Sequence, residues 1–584
     1  MKRRTLLATA AAAGSSAALL ACGRRPPEAN GPHRPAPGRD IELRWVGGAA
    51  HPRGHRLRDA AWRDALVGRA WPVPGAAQRA AVLVLGGGVA GLAAARAFTR
   101  RGIDDVQVLE LEDSAGGNAR AHALGGTACP LGAHYLPLPG AQAHEVAEWL
   151  HEIGLLHTDA AGRVRPDERH LCHSPQERLF FEGRWIEGLL PPAEAGSARL
   201  AQYRRFAARV SALQRPGGGA GPNRGGPAFA LPAHRSRWTA ELAALDATTF
   251  ARWLAANAIT DPVLTTYLDY CCRDDYGAGI ATVSAWAGVH YFASRHGFAA
   301  PGDGEAPESG AGSAREAVFT WPEGNAWLTR RLAAPLGEAR PGQGGGRRLH
   351  TAHTVLAVRE ERHRVTVLAF DEALQQPRAW EAGTVVVALP LQVARHVVQP
   401  ASAALASALR AAGEAVTTAP WLVANLLLER PLFDNVQGAP PAWDNVIHGG
   451  RGLGYVDATH QRLSPVPGPG EQPVLTAYHA LGAGERGALL ADDPRPWAER
   501  VLGEIETAHR ELRWRVQRID LARYGHAMAV PRPGLQRHAA LAALRAANGR
   551  LRFAHADLAG YSVFEEAFTA GCEAALPPLL PWRV

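Results

Sequence analysis

Two adjoining stretches carry residue types at the spacing needed to hold a dinucleotide. Ala81-Val82-Leu83-Val84-Leu85 is a continuous apolar run, and Gly86, Gly88 and Gly91 follow it as G-x-G-x-x-G. Such a run predicts a buried parallel strand. Gly86 permits the tight turn, Gly88 lets the backbone approach a pyrophosphate, and Gly91 lets the next helix lie against the strand. Val89 and Ala90 open that helix, whose free N–H groups and positive dipole end suit phosphates. Val106-Gln107-Val108-Leu109-Glu110 predicts the second strand. Its terminal acid stands close to the spacing of a ribose-binding carboxylate.

Other candidates lie further on. Tyr267-Leu268-Asp269-Tyr270-Cys271-Cys272-Arg273-Asp274-Asp275-Tyr276 mixes charge with aromatic rings. Asp274 and Asp275 suit a pocket for a cationic or polar substrate. The same residues also suit a surface helix end with a salt-bridged Arg273. Cys271-Cys272 lacks the paired C-x-x-C spacing of a metal site, and no metal is predicted. His134 reads as catalytic or as a buried histidine satisfied by one backbone partner.

Lys2 is the only lysine in the chain. Without Lys2 no lysine Schiff base, P-loop lysine or lysine general base is possible. The formal charge is +8, with Lys2, Arg3 and Arg4 in the leader. The remaining arginines are scattered, with no basic stripe among aromatics, which argues against a nucleic-acid partner.

Gly116-Gly117-Asn118-Ala119-Arg120 follows Glu110. Together with the glycine turn it resembles the flavin-containing amine oxidase, phytoene desaturase and protoporphyrinogen oxidase superfamily. Further resemblances follow in the same order from about Arg79 onward. They include Leu131-Gly132-Ala133-His134, Trp321-Pro322-Glu323-Gly324-Asn325, Val355-Leu356-Ala357-Val358 and Tyr524-Gly525-His526-Ala527-Met528-Ala529-Val530-Pro531. The last is Leu551-Arg552-Phe553-Ala554-His555-Ala556-Asp557 with Tyr561-Ser562-Val563-Phe564-Glu565-Glu566. The resemblance implies noncovalent FAD. It assigns cofactor contacts to Gly86, Gly88, Val89, Ala90, Gly91, Glu110, Leu111, Gly116, Gly117, Asn118, Gly132, Ala133, Val355, Asp557, Phe564 and Glu565. Glu323 and Asn325 are further flavin-facing candidates, with turn geometry as the other reading. Tyr561 is the candidate aromatic wall beside the flavin and, with Asp274 and Asp275, a candidate catalytic residue.

This sequence departs from the family pattern at four places. Asn118 and Glu112 stand where arginines are usual, Glu566 stands where glycine is usual, and Val423 lies nearest the place of the family's lysine. Arg120 or the backbone amides are left to meet the diphosphate.

Positioning these residues calls for an α/β fold. A Rossmann-like FAD-binding domain of the glutathione-reductase, amine-oxidase type is interleaved with an α+β substrate domain. The FAD-binding parts are 78–140, 317–390 and 536–584, and the substrate parts are 141–316 and 391–535. Helical spacing appears at Glu145–Leu156 and Thr248–Ala256, and strands at Val355–Val358, Val365–Phe370, Thr384–Pro390 and Trp421–Leu428. Glycine-rich 216–222 and 302–312 read as mobile surface loops.

Residues 1–21 read as a signal peptide. A twin arginine precedes an apolar run too short to span a bilayer. Leu19-Leu20-Ala21-Cys22 resembles a lipobox, which implies export by the twin-arginine route and a lipid anchor at Cys22 in the periplasm or cell envelope. Residues 22–77 form a tether and pre-domain segment, mostly too polar to pack, with Ile41–Val46 as one strand. An oxidising compartment permits a disulfide among the other five cysteines.

The expected function is hydride transfer from a small-molecule C–H bond to flavin N5, with amine or polyamine oxidation to an imine foremost. Oxygen or a quinone is the terminal acceptor. Two other readings stand beside it. One is dehydrogenation or isomerisation of an apolar polyene or porphyrin; the other is a non-catalytic FAD-binding electron-transfer lipoprotein.

Overall fold

Two eight-stranded sheets organise the chain. The computed structural model describes residues 40–70, 77–215, 223, 225–295, 297–302, 317–337, 348–433, 438–462, 464, 466, 468 and 470–582. The leader and Cys22, the 216–222 loop and 303–312 lie outside the described residues.

The first sheet is built on Gln78–Leu85. Val106–Leu109 pairs parallel on one side of it and Gln376–Val387 on the other. Leu551–Phe553 adds in parallel beside the C-terminal half of Gln376–Val387. Val82, Leu83, Val84 and Leu85 are fully buried, as a strand covered on both faces requires. The antiparallel strands Val365–Asp371 and His353–Glu360 complete the sheet beyond Gln376–Val387. Helices Val89–Arg100 and Phe564–Ala574 pack on one face. They approach closely because Gly571 has no side chain: a Cβ there would lie 2.2 Å from the Ala90 carbonyl oxygen.

The second sheet centres on Thr418–Leu428, buried along its whole length. It pairs antiparallel with Val516–Ala529 and with Val474–Ala480. Glu177–Phe181 and Arg184–Glu187 form its far edge. These two strands interrupt a region whose apolar spacing suggests mostly helix. Helices Pro262–Tyr276 and Ala285–Ala293 share a core with this sheet through Leu268, Tyr276, Trp286 and Val423.

Residues 40–70 of the pre-domain segment are packed beyond the expectation from their polarity, and the strand expected at Ile41–Val46 is present as Glu42–Gly48. Glu42–Gly48 pairs parallel with Val516–Ala529 as the near edge of the second sheet. Its backbone bonds, together with Ile41, Leu43 and Trp45 packed against the core of that sheet, hold it there. The helix Ala60–Ala70 then sets Trp62, Leu66 and Val67 against Leu356, Leu368 and Phe370. Cys129, Cys172, Cys271, Cys272 and Cys572 are free thiols.

Candidate active site

The glycine turn has the shape its spacing predicts. Gly86 has a φ of +105°, and a Cβ there would lie 2.5 Å from the Ala388 carbonyl oxygen. At Gly91 a Cβ would lie 1.8 Å from the Gly86 carbonyl oxygen. Gly88 differs, because a Cβ there would meet only the Cα of Gly117, at 3.8 Å. Gly88 and Gly117 approach closely as bare backbone, a Cβ on Gly117 lying only 3.1 Å from the Gly88 Cα, and this side-chain-free junction is the slot between the two loops. Gly116 N–H donates to the Gly87 carbonyl at 2.8 Å and fixes the two loops. Gly88 caps the Val89–Arg100 helix without a side-chain hydrogen bond, so the first helical N–H groups, at Val89 and Ala90, have no side-chain acceptor.

Glu110 closes one end of the slot. Its carboxylate accepts from the amides of Gly87 at 2.6 Å and Glu112 at 2.9 Å. Burial raises its pKa against the pull of those amides. The Leu111 carbonyl accepts from Arg53 at 2.9 Å. Val355 lies in the neighbouring strand, where the ladder shifts register between Val355 and Ala357. Its side chain packs with Leu83 and Leu109.

Arg120 does not face the slot. It donates to the carbonyls of Gly117 and Gly48 and pairs with Glu112 at 3.4 Å. Glu112 also accepts from the Ala50 amide at 2.8 Å. Glu112, a departure from the family pattern, and Arg120 thus clamp the pre-domain segment to the dinucleotide loop. The backbone amides are what remain for a diphosphate. Asn118 donates to the Ala527 carbonyl at 2.7 Å, and its own carbonyl accepts from the Ala133 amide at 2.9 Å. Gly132 is required there, since a Cβ would lie 2.2 Å from that oxygen.

Ala133 and Asn118 are both exposed at this junction. Asn325 holds the turn from beneath, its amide donating to Ala133 at 3.0 Å and its side chain to the Tyr135 carbonyl at 2.7 Å. The Asn325 Oδ1 is buried without a partner. Glu323 instead faces outward to Arg330 at 3.3 Å.

At the C-terminal motif, Asp557 is buried and accepts from the Leu391 amide at 2.9 Å. Burial opposes its ionisation, but His555, the Leu391 amide and His526 hold it below the usual carboxylate range. Phe564 opens the Phe564–Ala574 helix, and its ring stacks on Trp149 and Phe568 within the core. Glu565 is buried beside it, and burial raises its pKa to about 7 against the attraction of Arg295.

The candidate catalytic residues separate. Tyr561 is 1% exposed, with its hydroxyl donating to Glu566 at 2.7 Å and its ring against Tyr276 and His290. It is part of a packed wall. Asp275 forms a buried ion pair with Arg295 at 3.1 Å. Consecutive helical residues diverge, so Asp274 points elsewhere. Its Oδ2 accepts from the Tyr135 hydroxyl at 3.3 Å.

Tyr135 belongs to a packed aromatic cluster. His134 stacks on Tyr478 with centroids 4.3 Å apart, and Trp443 lies against both His134 and Tyr135. Burial lowers the His134 pKa to about 3, so the ring is neutral. Asp444, next to Trp443, is held well above the usual carboxylate range by burial, with Glu177 and Asp274 adding to the effect. Tyr478 gives no sequence signal beyond being an aromatic within a strand. Val423 pairs with it across the sheet and is fully buried.

The geometry fits the dinucleotide part of FAD: a side-chain-free slot, uncapped helix amides and a buried carboxylate at the strand end. The model for flavin containing amine oxidoreductases matches residues 89–576. The fold is similar to a cofactor-binding redesign of putrescine oxidase carrying two substitutions, at 15% identity and TM-score 0.61, covering 85% of this chain and 98% of that one. Cyclohexylamine oxidase from Brevibacterium oxydans is similar at 18% identity and TM-score 0.58, covering 85% and 98%. A fatty acid isomerase from P. acnes that produces CLA is similar at 13% identity and TM-score 0.54, covering 85% and 97%. No curated protein matches the sequence. The structural likenesses establish the fold, and the family match extends over most of the chain: this protein is a FAD-dependent oxidoreductase of the flavin-containing amine oxidoreductase family.

Proposed function

We propose that the protein oxidises an amine to an imine, with oxygen or a quinone as terminal acceptor. The observation that carries this reading is the Asp274–Tyr135 contact at the mouth of the Gly132–Ala133 turn. It joins a carboxylate to the aromatic cluster beside the cofactor residues. FAD supplies the hydride acceptor, as the cofactor does in this chemistry. In this reading FAD is held noncovalently by the 86–91 and 116–118 loops, Glu110 and Leu111, Gly132 and Ala133, Val355, Asp557 and Glu565, with Phe564 setting the start of the last helix.

The chain's own part is binding and proton control. Asp274 attracts an ammonium group and accepts its hydrogen bond. His134, Tyr478 and Trp443 exclude water, and desolvation favours the neutral amine from which hydride departs. Without a lysine, no lysine-held water takes part. Asp274 beside the aromatic cluster offers a partner to an ammonium and none to a polyene.

The test is anaerobic. Polyamines, aromatic monoamines and amino acids are added in turn while flavin absorbance is recorded. Bleaching by one amine class is expected. A normal flavin spectrum that no amine bleaches would overturn the reading.

We also propose export by the twin-arginine route and a lipid anchor at Cys22. Cys22→Ala is expected to move the protein from the membrane to the soluble fraction. Its retention on membranes would count against the anchor.

A further inference from the structure

Three carbonyls along one edge of the Val516–Ala529 strand, spaced two residues apart, bind three remote parts of the chain. Arg523 accepts from the Ala49 amide at 3.1 Å, Gly525 from the Arg486 Nε at 2.7 Å, and Ala527 from the Asn118 side chain at 2.7 Å. Two residues of strand rise roughly 7 Å, so Arg486 stands one such step from Asn118, the neighbour of Gly117. Arg486 also donates to the Thr418 carbonyl, and the Thr418 hydroxyl bonds His526 Nδ1 at 2.8 Å. From Ala49 the pre-domain segment continues beside the cofactor residues. Arg53 holds the Leu111 carbonyl, Leu57 packs on the core that contains Val355, and the exposed Arg58 follows.

The dinucleotide loop offers no cation of its own to a diphosphate, since Arg120 is turned to Gly48 and Glu112. Positive charge collects beside it instead. Burial, then Arg58, lowers the pKa of Arg486. Burial, then Arg486, Arg58 and His55, lowers His526 to about 4 and keeps its ring neutral. The two arginines come from segments remote in sequence and repel each other. Among the described residues no carboxylate forms an ion pair with either. Asp557 reaches His526 but is already bound by His555 at 3.2 Å and by the Leu391 amide at 2.9 Å. The place is flanked by Asn118 and Asp557, both cofactor candidates, and an anion there would relieve the repulsion.

We propose that Arg486 and Arg58 are the cations that meet the cofactor diphosphate, supplied by the 482–487 turn and the pre-domain segment rather than by the glycine loops. The assignment concerns FAD binding and stands whatever the substrate is.

The experiment titrates the full-length apoprotein with FAD, follows the quenching of flavin fluorescence and repeats each titration at low and high salt. Arg486→Ala is expected to raise the FAD Kd by about 10- to 100-fold, the worth of a hydrogen bond to a charged group. Arg58→Ala is expected to raise it about two- to fivefold; its exposed position leaves the fold intact, so it carries the test if Arg486→Ala does not fold. Arg486→Lys keeps the charge without the bracket of carbonyls and is expected to stay within about threefold of the natural protein. Salt is expected to weaken FAD binding less in the Arg58→Ala, Arg486→Ala double variant, where two screened contacts are gone. An FAD Kd unchanged in both alanine variants overturns the assignment. A loss in Arg486→Ala that Arg486→Lys does not restore, or a salt dependence unaltered in the double variant, overturns it too, because the arginine would then act only through the Thr418 and Gly525 carbonyls.

Discussion

Asp274 and Asp275 adjoin in sequence yet have different partners, Tyr135 and Arg295, and the separate roles proposed for them are testable. Burial, then the charge of Asp275, raises Asp274 to about 7. On the proposed amine-oxidation reading its ionised form accepts from a substrate ammonium, so kcat/KM should rise as pH passes through about 7. Asp274→Asn should remove that limb and lower kcat/KM by about 10- to 100-fold, the worth of a hydrogen bond to a charged group. A variant that keeps the limb would assign it to another residue. The sign for stability is opposite. The unfolded chain releases this proton in the ordinary carboxylate range and the folded protein near 7, so this group's contribution to stability falls as pH rises between them. Asp275 is structural. Asp275→Asn leaves Arg295 buried without its counter-charge and is expected to destabilise the fold by about 3–5 kcal/mol. Thermal midpoints of apo and holo protein check this. An unchanged midpoint in both would mean that Arg295 finds another partner.

At the scale of elements, the dinucleotide unit was legible because each of its requirements leaves a local mark. A buried parallel strand reads as an apolar run, and the turn demands glycine at Gly86 and Gly91. Their predicted consequences differ from that of Gly88. Gly91→Val drives a side chain into the Gly86 carbonyl and should prevent folding of the motif. At Gly88 a Cβ meets only an ordinary contact with Gly117, so Gly88→Val should fold with native circular dichroism yet lose most of its FAD, because the new side chain covers the bare backbone that a diphosphate must approach. If Gly88→Val retains stoichiometric flavin, the slot is not the diphosphate cradle. The aromatic cluster was less legible. Asp274, Tyr135 and Trp443 lie far apart in sequence, and the contact among them is set by how the Pro262–Tyr276 helix crosses the second sheet. Tyr561 misled for a related reason: its position in the last motif suggests a flavin wall, whereas its hydroxyl is bound to Glu566, a residue whose partner no local pattern discloses. Phe564 likewise marks the helix start correctly while its ring belongs to the core.

For the whole molecule, the departures from the family pattern connect to the segment that precedes the glycine turn. Glu112 and Arg120 hold Ala50 and Gly48, and Arg56 pairs with Glu372. Glu42–Gly48 completes the edge of the second sheet while Trp62 and Leu66 cover the first. One short stretch thereby fastens both sheets beside the Gly116–Arg120 loop. The strand itself was legible at Ile41–Val46, but its pairing with Val516–Ala529 was not, because that partner lies far along the chain and backbone hydrogen bonds carry no sequence mark. A truncation beginning at Asp40 should fold, bind FAD and keep the thermal midpoint of a chain beginning after Cys22. A truncation beginning at Gln78 removes the edge strand, exposes the backbone groups of Val516–Ala529 and strips Arg120 of its Gly48 acceptor. It should bind FAD more weakly, with the cofactor lost first on heating because the 116–120 loop is the part released. Equal flavin affinity in the two truncations would make the segment a passive spacer. Loss in the Gln78 truncation, reproduced by Arg120→Ala in the full chain, would show that the pre-domain segment holds the cofactor loop in place where the family's arginines are missing.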